Sequence, residues 1–548
     1  MKKLLLLSAV FACVFVAKAQ VSENDRNTAL QLVQKNSSGI GLLQNDLDNS
    51  IITGTYIIPG SAIRMVYLQQ SFRNIPVYNQ LHVLAFKQDK LVSVAGSRIA
   101  AIEQKVGNDR STPAITAIDA VQTASVESKV VIREMIIPAS ISRGGQKFEF
   151  GRLGVSMENI FAELIWLPLG EGDEVKLAWQ VFIAPQITSD YWLIRVDANT
   201  NKVISKESLT ISCNWGDGDH SPKEHFAAKE KTNQNSVALQ SDNKVKEENK
   251  PLVVNNANYR VIKYPAESPI HPGGGHQFHL NPWTMSPGNA TTHGWQYDGS
   301  IYYDSTRGNN AFAYEDRDAN NLPGRSGLSS TPQPDLTFDF VPDYNLEPTV
   351  RTPAPNQQFN TTNLFYWNNL MHDLTYIYGF TEPSRNYQND NMGRGGNQGD
   401  YVLAEAQDGS GTNNANFSSG VDGVRGRMQM YLWTAPTPDR DGDVDNGIIA
   451  HEYAHGLSNR MTGTGSGCLS NVEQMGEGWS DYLALMITHN WATATPPDGF
   501  NNPRGIGTYA LNQPITGPGI RQYRYTTNMA INPMTYANLP SVAVPHGV

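Results

Sequence analysis

The chain has 548 residues, 42 Lys plus Arg against 52 Asp plus Glu, and a formal charge of −10, a length that implies about three compact units and excludes a single small module. Hydrophobic residues at 39% and charged residues at 17% supply enough material for cores and argue against global disorder. The mild acidic balance lacks the basic stripe that neutralises phosphate, so no nucleic-acid partner is expected.

At the N-terminus, Lys2 and Lys3 precede an apolar run from Leu4 to Val16, and the small-residue site Ala17-Lys18-Ala19 precedes Gln20. This is the pattern of a cleaved signal peptide over residues 1–19, and it predicts a secreted, extracellular protein. A lipoprotein reading would acylate Cys13, but bulky Phe11 stands two residues before it, so soluble export is the expectation. After cleavage Cys213 and Cys468 remain, too few for a disulfide scaffold. No second apolar run has the length of a membrane span.

Residues 20–110 and 111–210 read as two α+β units. In the first, Met65 to Leu68, Leu81 to Phe86 and Leu91 to Ser97 have strand composition; Asn74-Ile75-Pro76 breaks the first from the second, and Lys87 to Lys90 turns the second into the third. In the second, a helix is predicted from Ala114 to Glu127 and strands from Leu177 to Ala184 and Trp192 to Asp197. Neither unit carries a catalytic cluster. Residues 211–250 turn to Lys, Glu, Asn, Gln and Ser with few large apolar side chains, which reads as a linker open to proteolytic nicking. From 251 to 548 the chain is rich in Gly, Asn, Asp and aromatics, with loop-like stretches such as Asn386 to Asp400 and one clear helical candidate, Thr362 to Tyr378.

The chemistry concentrates near residue 450. Gly447 to Asn459 reads GIIAHEYAHGLSN, with His451, Glu452 and His455 in the pattern HExxH and with Asp443 and Asp445 just before it, where carboxylates suit a helix N-terminus. Positions four apart stack on one helix face, so the two imidazoles can share one ion with Glu452 at the edge of that face. Alone the pattern is only moderately specific, because structural helices contain it too. Downstream, Met475 to Leu483 reads MGEGWSDYL and sets Glu477 and Asp481 four apart on a second predicted helix. Glu477 can complete a His, His, carboxylate set that leaves one coordination position open, a catalytic arrangement. Asp481, one turn on, can accept the other ring N–H of a ligating histidine.

HEYAHGLSNR followed by GEGWSD resembles the fungalysin-type secreted metallopeptidases, relatives of thermolysin. The stretches FYWNNLMHDLTYIYGF, GRGG, AQDGSGTNNANF and PDRDGDVDNG follow in what resembles the family's order, and Tyr259 to Arg307 looks like the start of its mature domain. Residues from about 40 to 205 resemble, less specifically, the fungalysin and thermolysin propeptide followed by a second propeptide module. The resemblance implies an α+β fold: a two-lobed thermolysin-like metallopeptidase domain over 251–548, its C-terminal helical lobe incomplete, behind α+β propeptide modules. It implies that His451, His455 and Glu477 bind one catalytic Zn2+ and that Glu452 is the general base. It also implies that Asn414 and Ala415 belong to the edge strand that holds substrate backbone, and that His546 is a candidate for stabilising the transition state. No tyrosine between His455 and Glu477 matches a second oxyanion donor. The expected activity is a zinc metalloendopeptidase made as a zymogen, its own propeptide serving as inhibitor and folding aid and its substrates being proteins or peptides. The alternative is an inactive peptidase scaffold serving as a surface or matrix binding module.

Three further features have structural readings. Asp439, Asp441, Asp443 and Asp445 alternate like Ca2+ ligands, but an EF-hand loop counted from Asp441 finds Asn446 where Gly is needed and claims Glu452. A helix entry or solvated cluster is therefore favoured and Ca2+ stays optional. His372-Asp373 is expected to be a satisfied structural pair. Cys213 as an inhibitory zinc thiolate has nothing around it in support.

Overall fold

The computed structural model describes residues 23–538 apart from 59–60, 108–110, 171, 213–253, 287, 464–468, 470–474 and 496. The signal-peptide candidate, Cys13, Cys213, Cys468, His546 and positions 213–250 of the expected linker lie outside the described residues.

The N-terminal part is an antiparallel meander of Ser50–Ile57, Ile63–Phe72, Ile75–Lys87 and Lys90–Gly96. The two hairpin turns after Phe72 and Lys87 place Arg73, Asn74, Gln88 and Asp89 at positive φ, the twist that two-residue turns need to match right-handed strands. Helix Glu23–Lys35 lays Ala29, Leu32 and Val33 against Val66, Leu68, Leu84 and Phe86.

The helix Ala117–Glu127 starts three residues later than the composition predicts, because Thr116 caps it. The Thr116 hydroxyl accepts from the Asp119 N–H, and the Asp119 carboxylate accepts from the Thr116 N–H. Its buried Ala117, Ala120, Val121 and Ala124 pack on Leu177, Trp179, Val181, Ile194 and Val196. Those last residues come from the antiparallel strands Glu174–Ile183 and Trp192–Asp197; Phe161–Leu169 and Val203–Ser208 flank them. One parallel pair, Val77 with Trp166, joins both strand groups into a single ten-stranded sheet.

Beyond residue 253 the centre is the helix Asn356–Ile377, buried along nearly all its length. It begins six residues before Thr362 because its first turns bury amides rather than hydrocarbon. Asn360 Nδ2 donates to Asp441 Oδ2 at 2.6 Å, and Asn363 Nδ2 donates to the Asp443 carbonyl at 2.8 Å. Such satisfied polar contacts leave no apolar periodicity to read. Beside this helix lies a five-stranded sheet in the order Thr210–Ser212, Ala415–Ser418, Arg427–Met430, Val402–Ala406, Ala311–Glu315. Residues 211 and 212 therefore belong to a strand. Helices Asn446–Met461 and Gly476–Ile487 complete the arrangement. The whole is a mixed α+β fold, and no described helix is long and apolar enough to cross a membrane.

Candidate metal centre

The helix Asn446–Met461 is entered through the aspartates. The Asp441 carboxylate accepts the Asp443 N–H at 2.9 Å, and the Ile448 N–H bonds the Asp445 carbonyl at 3.0 Å. Helix entry is as expected, but solvation is not: Asp441, Asp443 and Asp445 are buried. Amides from Asn360 and Gln407 replace water at Asp441, so a solvated cluster is the wrong description of these three. Burial pushes the Asp441 carboxyl up, and the neighbouring Asp441 adds to the same effect at Asp443.

One helical turn apart, His451 and His455 set their rings 4.6 Å apart at 85°, and both are fully buried with Glu452. Glu477, in the first turn of Gly476–Ile487, reaches both. His451 Nε2 is 3.2 Å from Glu477 Oε2, and His455 Nε2 is 3.4 Å from Glu477 Oε1. Ligand atoms about 2.0–2.1 Å from one tetrahedral ion stand about 3.3 Å apart, so these spacings fit a single small cation. Two imidazole nitrogens and a carboxylate are also the donor types that Zn2+ takes.

Around this set the structure adds what the sequence does not display. Asp481 Oδ1 pairs with His451 Nδ1 at 2.7 Å, as the spacing predicts. Arg521 then donates through Nε to Asp481 Oδ2 at 2.7 Å and through Nη2 to Asp481 Oδ1 at 2.9 Å and Glu477 Oε2 at 3.1 Å. The Tyr525 hydroxyl also donates to Asp481 Oδ2. Arg521 and Tyr525 lie 40 and 44 residues beyond Asp481, with no motif around them to mark them. Ser480 Oγ stands 3.4 Å from His455 Nδ1.

The electrostatics follow from this network. Burial opposes a charge on His451, yet the hydrogen bond and charge of Asp481, with Glu477 behind them, push its imidazole up to about 9. Burial also opposes ionisation of Asp481, and the Arg521 charge overrides it to hold the carboxyl at about 2. Glu477 is held well below the usual carboxylate range, because His455 and the His451 hydrogen bond outweigh its burial. The centre thus keeps two carboxylates ionised around two imidazoles, with the Arg521 guanidinium against both carboxylates.

Asn414 and Ala415 lie at the start of the strand Ala415–Ser418, entered through Asn413 at positive φ. That strand pairs with Arg427–Met430 on one side and antiparallel with Thr210–Ser212 on the other, in the register Thr210 with Ser418 and Ile211 with Phe417. His372 and Asp373 form a satisfied pair: His372 Nδ1 to Asp373 Oδ1 is 2.9 Å, and the Trp295 indole donates to Asp373 Oδ2 at 2.9 Å.

Comparison with known proteins agrees with this geometry. The model of the family described as Fungalysin metallopeptidase (M36) matches residues 258–548, more than half of the chain. Extracellular metalloproteinase 2 of Trichophyton tonsurans is 40% identical over 299 residues, covering 54% of this chain and 44% of the relative. Extracellular metalloproteinase 3 of Trichophyton soudanense is 40% identical over 301 residues, covering 54% of this chain and 71% of the relative. This chain thus spans less than half the length of the first of these relatives and under three quarters of the second. On the strength of the family match over the segment that carries both helices of the metal centre, the chain belongs to the fungalysin metallopeptidase family.

Proposed function

We propose that this chain is a secreted zinc endopeptidase made as a zymogen. The observation that carries the reading is the convergence of His451 Nε2, His455 Nε2 and Glu477 from two separate helices at the spacing of tetrahedral ligands. In this reading, residues 1–19 are a signal peptide, 20–110 and 111–210 propeptide modules, and 251–548 a thermolysin-like two-lobed catalytic domain.

Zinc held by these three side chains would supply Lewis-acid polarisation of a carbonyl and a water acidified to a pKa of about 7. The remaining work falls to the chain. Asp481 accepts a hydrogen bond from the His451 Nδ1–H and so keeps the Nε2 lone pair directed at the ligand site. Glu452, buried beside that face, takes the proton of the attacking water as its oxygen bonds the carbonyl carbon, and delivers it to the amine as the C–N bond breaks. Asn414 and Ala415 pair with substrate backbone as an added strand, which gives broad affinity and leaves selectivity to side-chain pockets. His546 remains the candidate oxyanion donor.

The zymogen reading is supported by Thr210–Ser212. This segment occupies the side of Ala415–Ser418 that a substrate strand would use, and Thr210 Oγ1 bonds Ser418 Oγ at 2.6 Å. Met157, Phe161, Phe182, Tyr191 and Leu209 pack with Val421 and Val424, and Arg425 pairs with Glu158 at 2.6 Å.

The test compares wild type with Glu452→Gln for zinc content and casein hydrolysis after removal of residues before 251. Unchanged zinc with lost hydrolysis is expected. Equal cleavage by both proteins removes Glu452 from the mechanism, and zinc bound without cleavage by wild type favours the binding-module alternative.

A further inference from the structure

Away from the histidines, the fold brings a second set of oxygen donors together. Asp316, Glu405 and Asp408 each offer a carboxylate oxygen within 4.8 Å of the others, and all three are buried. Asp316 directly follows the strand Ala311–Glu315, Glu405 lies in Val402–Ala406, and Asp408 stands just beyond it. Part of this set is satisfied by hydrogen bonds. The Tyr314 hydroxyl donates to Glu405 Oε1 at 2.9 Å, the N–H groups of Asn320 and Asn321 donate to Asp316, and Ser410 and Gln429 Nε2 donate to Asp408.

One fully buried oxygen of the cluster, Glu405 Oε2, accepts no hydrogen bond. Gln429 is the register partner of Glu405 on the adjacent strand, and its amide is held against the cluster by the bond to Asp408. Acceptors therefore outnumber donors in a dry site, which is costly unless something positive shares them. One guanidinium, Arg427, approaches Glu405 Oε2 at 4.0 Å. Among the described residues, three carboxylates thus share this one guanidinium.

We propose that Asp316, Glu405 and Asp408 form a second cation site that takes a calcium-sized divalent ion. The donors are all hard oxygens, which suit Ca2+ rather than zinc. Donors about 2.3–2.6 Å from one ion can stand up to about 5 Å apart, as these do. Mg2+ dehydrates reluctantly and seldom accepts such a buried protein cage. Without an ion the site is unfavourable, because three carboxylates are buried together beside a single guanidinium. The ion would tie together the strands behind Ala415–Ser418. Arg427 also donates to the Ser189 carbonyl at 2.8 Å, so the site shares a residue with the contact to the N-terminal part. None of this depends on the zinc reading.

The test uses the full chain carrying Glu452→Gln, saturated with zinc and then dialysed against Ca2+, with Tb3+ as a luminescent substitute. We expect one Ca2+ per chain and Tb3+ emission sensitised by tyrosine and displaced by Ca2+. Glu405→Gln and Asp408→Asn should each weaken binding at least tenfold, while Asp445→Asn should not. Tyr314→Phe, which removes the hydroxyl that donates to Glu405 Oε1, should lower the sensitised emission. The proposal is overturned by absence of Ca2+ binding at millimolar concentration, by full affinity in folded Glu405→Gln, by loss in Asp445→Asn instead, or by unchanged emission in Tyr314→Phe.

Discussion

Replacing Asp481 with Asn tests how the metal centre is held. Asp481 Oδ1 serves His451 Nδ1 and Arg521 Nη2, and Oδ2 serves Arg521 Nε and the Tyr525 hydroxyl. Both oxygens therefore face donors. An Asn amide must turn its NH2 toward one of these pairs. Turned toward His451, it forces the wrong tautomer and withdraws Nε2 from the ligand site; turned toward Arg521, it sets donor against donor beside a buried charge. Arg521 keeps Glu477 at 3.1 Å, so the loss stays below that of a fully orphaned buried ion, about 3–5 kcal/mol. Zinc affinity should fall about tenfold to a hundredfold, or about 1.4–2.7 kcal/mol. Competition against a chelator of known affinity measures this, with circular dichroism checking the fold. Equal zinc affinity in a folded Asp481→Asn protein would refute the argument that Asp481 orients His451.

In the zinc-free protein His451 has its imidazole pushed from 6.5 to about 9. Its contribution to stability is complete below about pH 6.5 and is lost as pH rises through about 9, roughly 3 kcal/mol in all. Zinc-free wild type should thus lose more stability over that window than His451→Gln in urea titrations, and equal losses would contradict the assignment. Zinc binding should strengthen over the same window, because the ligand must be deprotonated. A Cβ on Gly456 would stand 2.6 Å from Phe417 Cε1 and 2.9 Å from the Tyr387 hydroxyl. Gly456→Ala should therefore destabilise by about 1–3 kcal/mol through overpacking between the motif helix and the strand Ala415–Ser418, and an unchanged Tm would show that the two can separate freely. Fully buried Arg460 bonds Asp400 Oδ2 at 2.6 Å and the carbonyls of Gly420 and Val424 at 2.9 and 2.7 Å. Arg460→Met should cost about 3–5 kcal/mol by stranding Asp400, read as a lower urea midpoint that Arg460→Lys restores only in part.

Local chemistry made much of this protein readable from the sequence. His451, Glu452 and His455 share a helix, and Glu477 and Asp481 share the next, so their relative placement follows from a four-residue helical spacing. The strand pair Ile63–Phe72 and Ile75–Lys87 was legible in part: Met65 to Leu68 and Leu81 to Phe86 lie in it, but Ile75 and Pro76, expected in the break, pair with Phe72 and Ser71. The early start of Asn356–Ile377 was not, since its buried amides look polar until their carboxylate and carbonyl partners are known. Nor were Arg521 and Tyr525, whose partners lie 40 and 44 residues back. The pairing of Thr210–Ser212 with Ala415–Ser418 joins residues 208 positions apart. Asp316 meets Glu405 and Asp408 only because the parallel strands Ala311–Glu315 and Val402–Ala406 lie side by side. Spacing along the chain determined which groups could share one helix face. Which distant groups surround them was decided by sheet pairing and helix packing, since contacts across such separations leave no periodicity in the sequence.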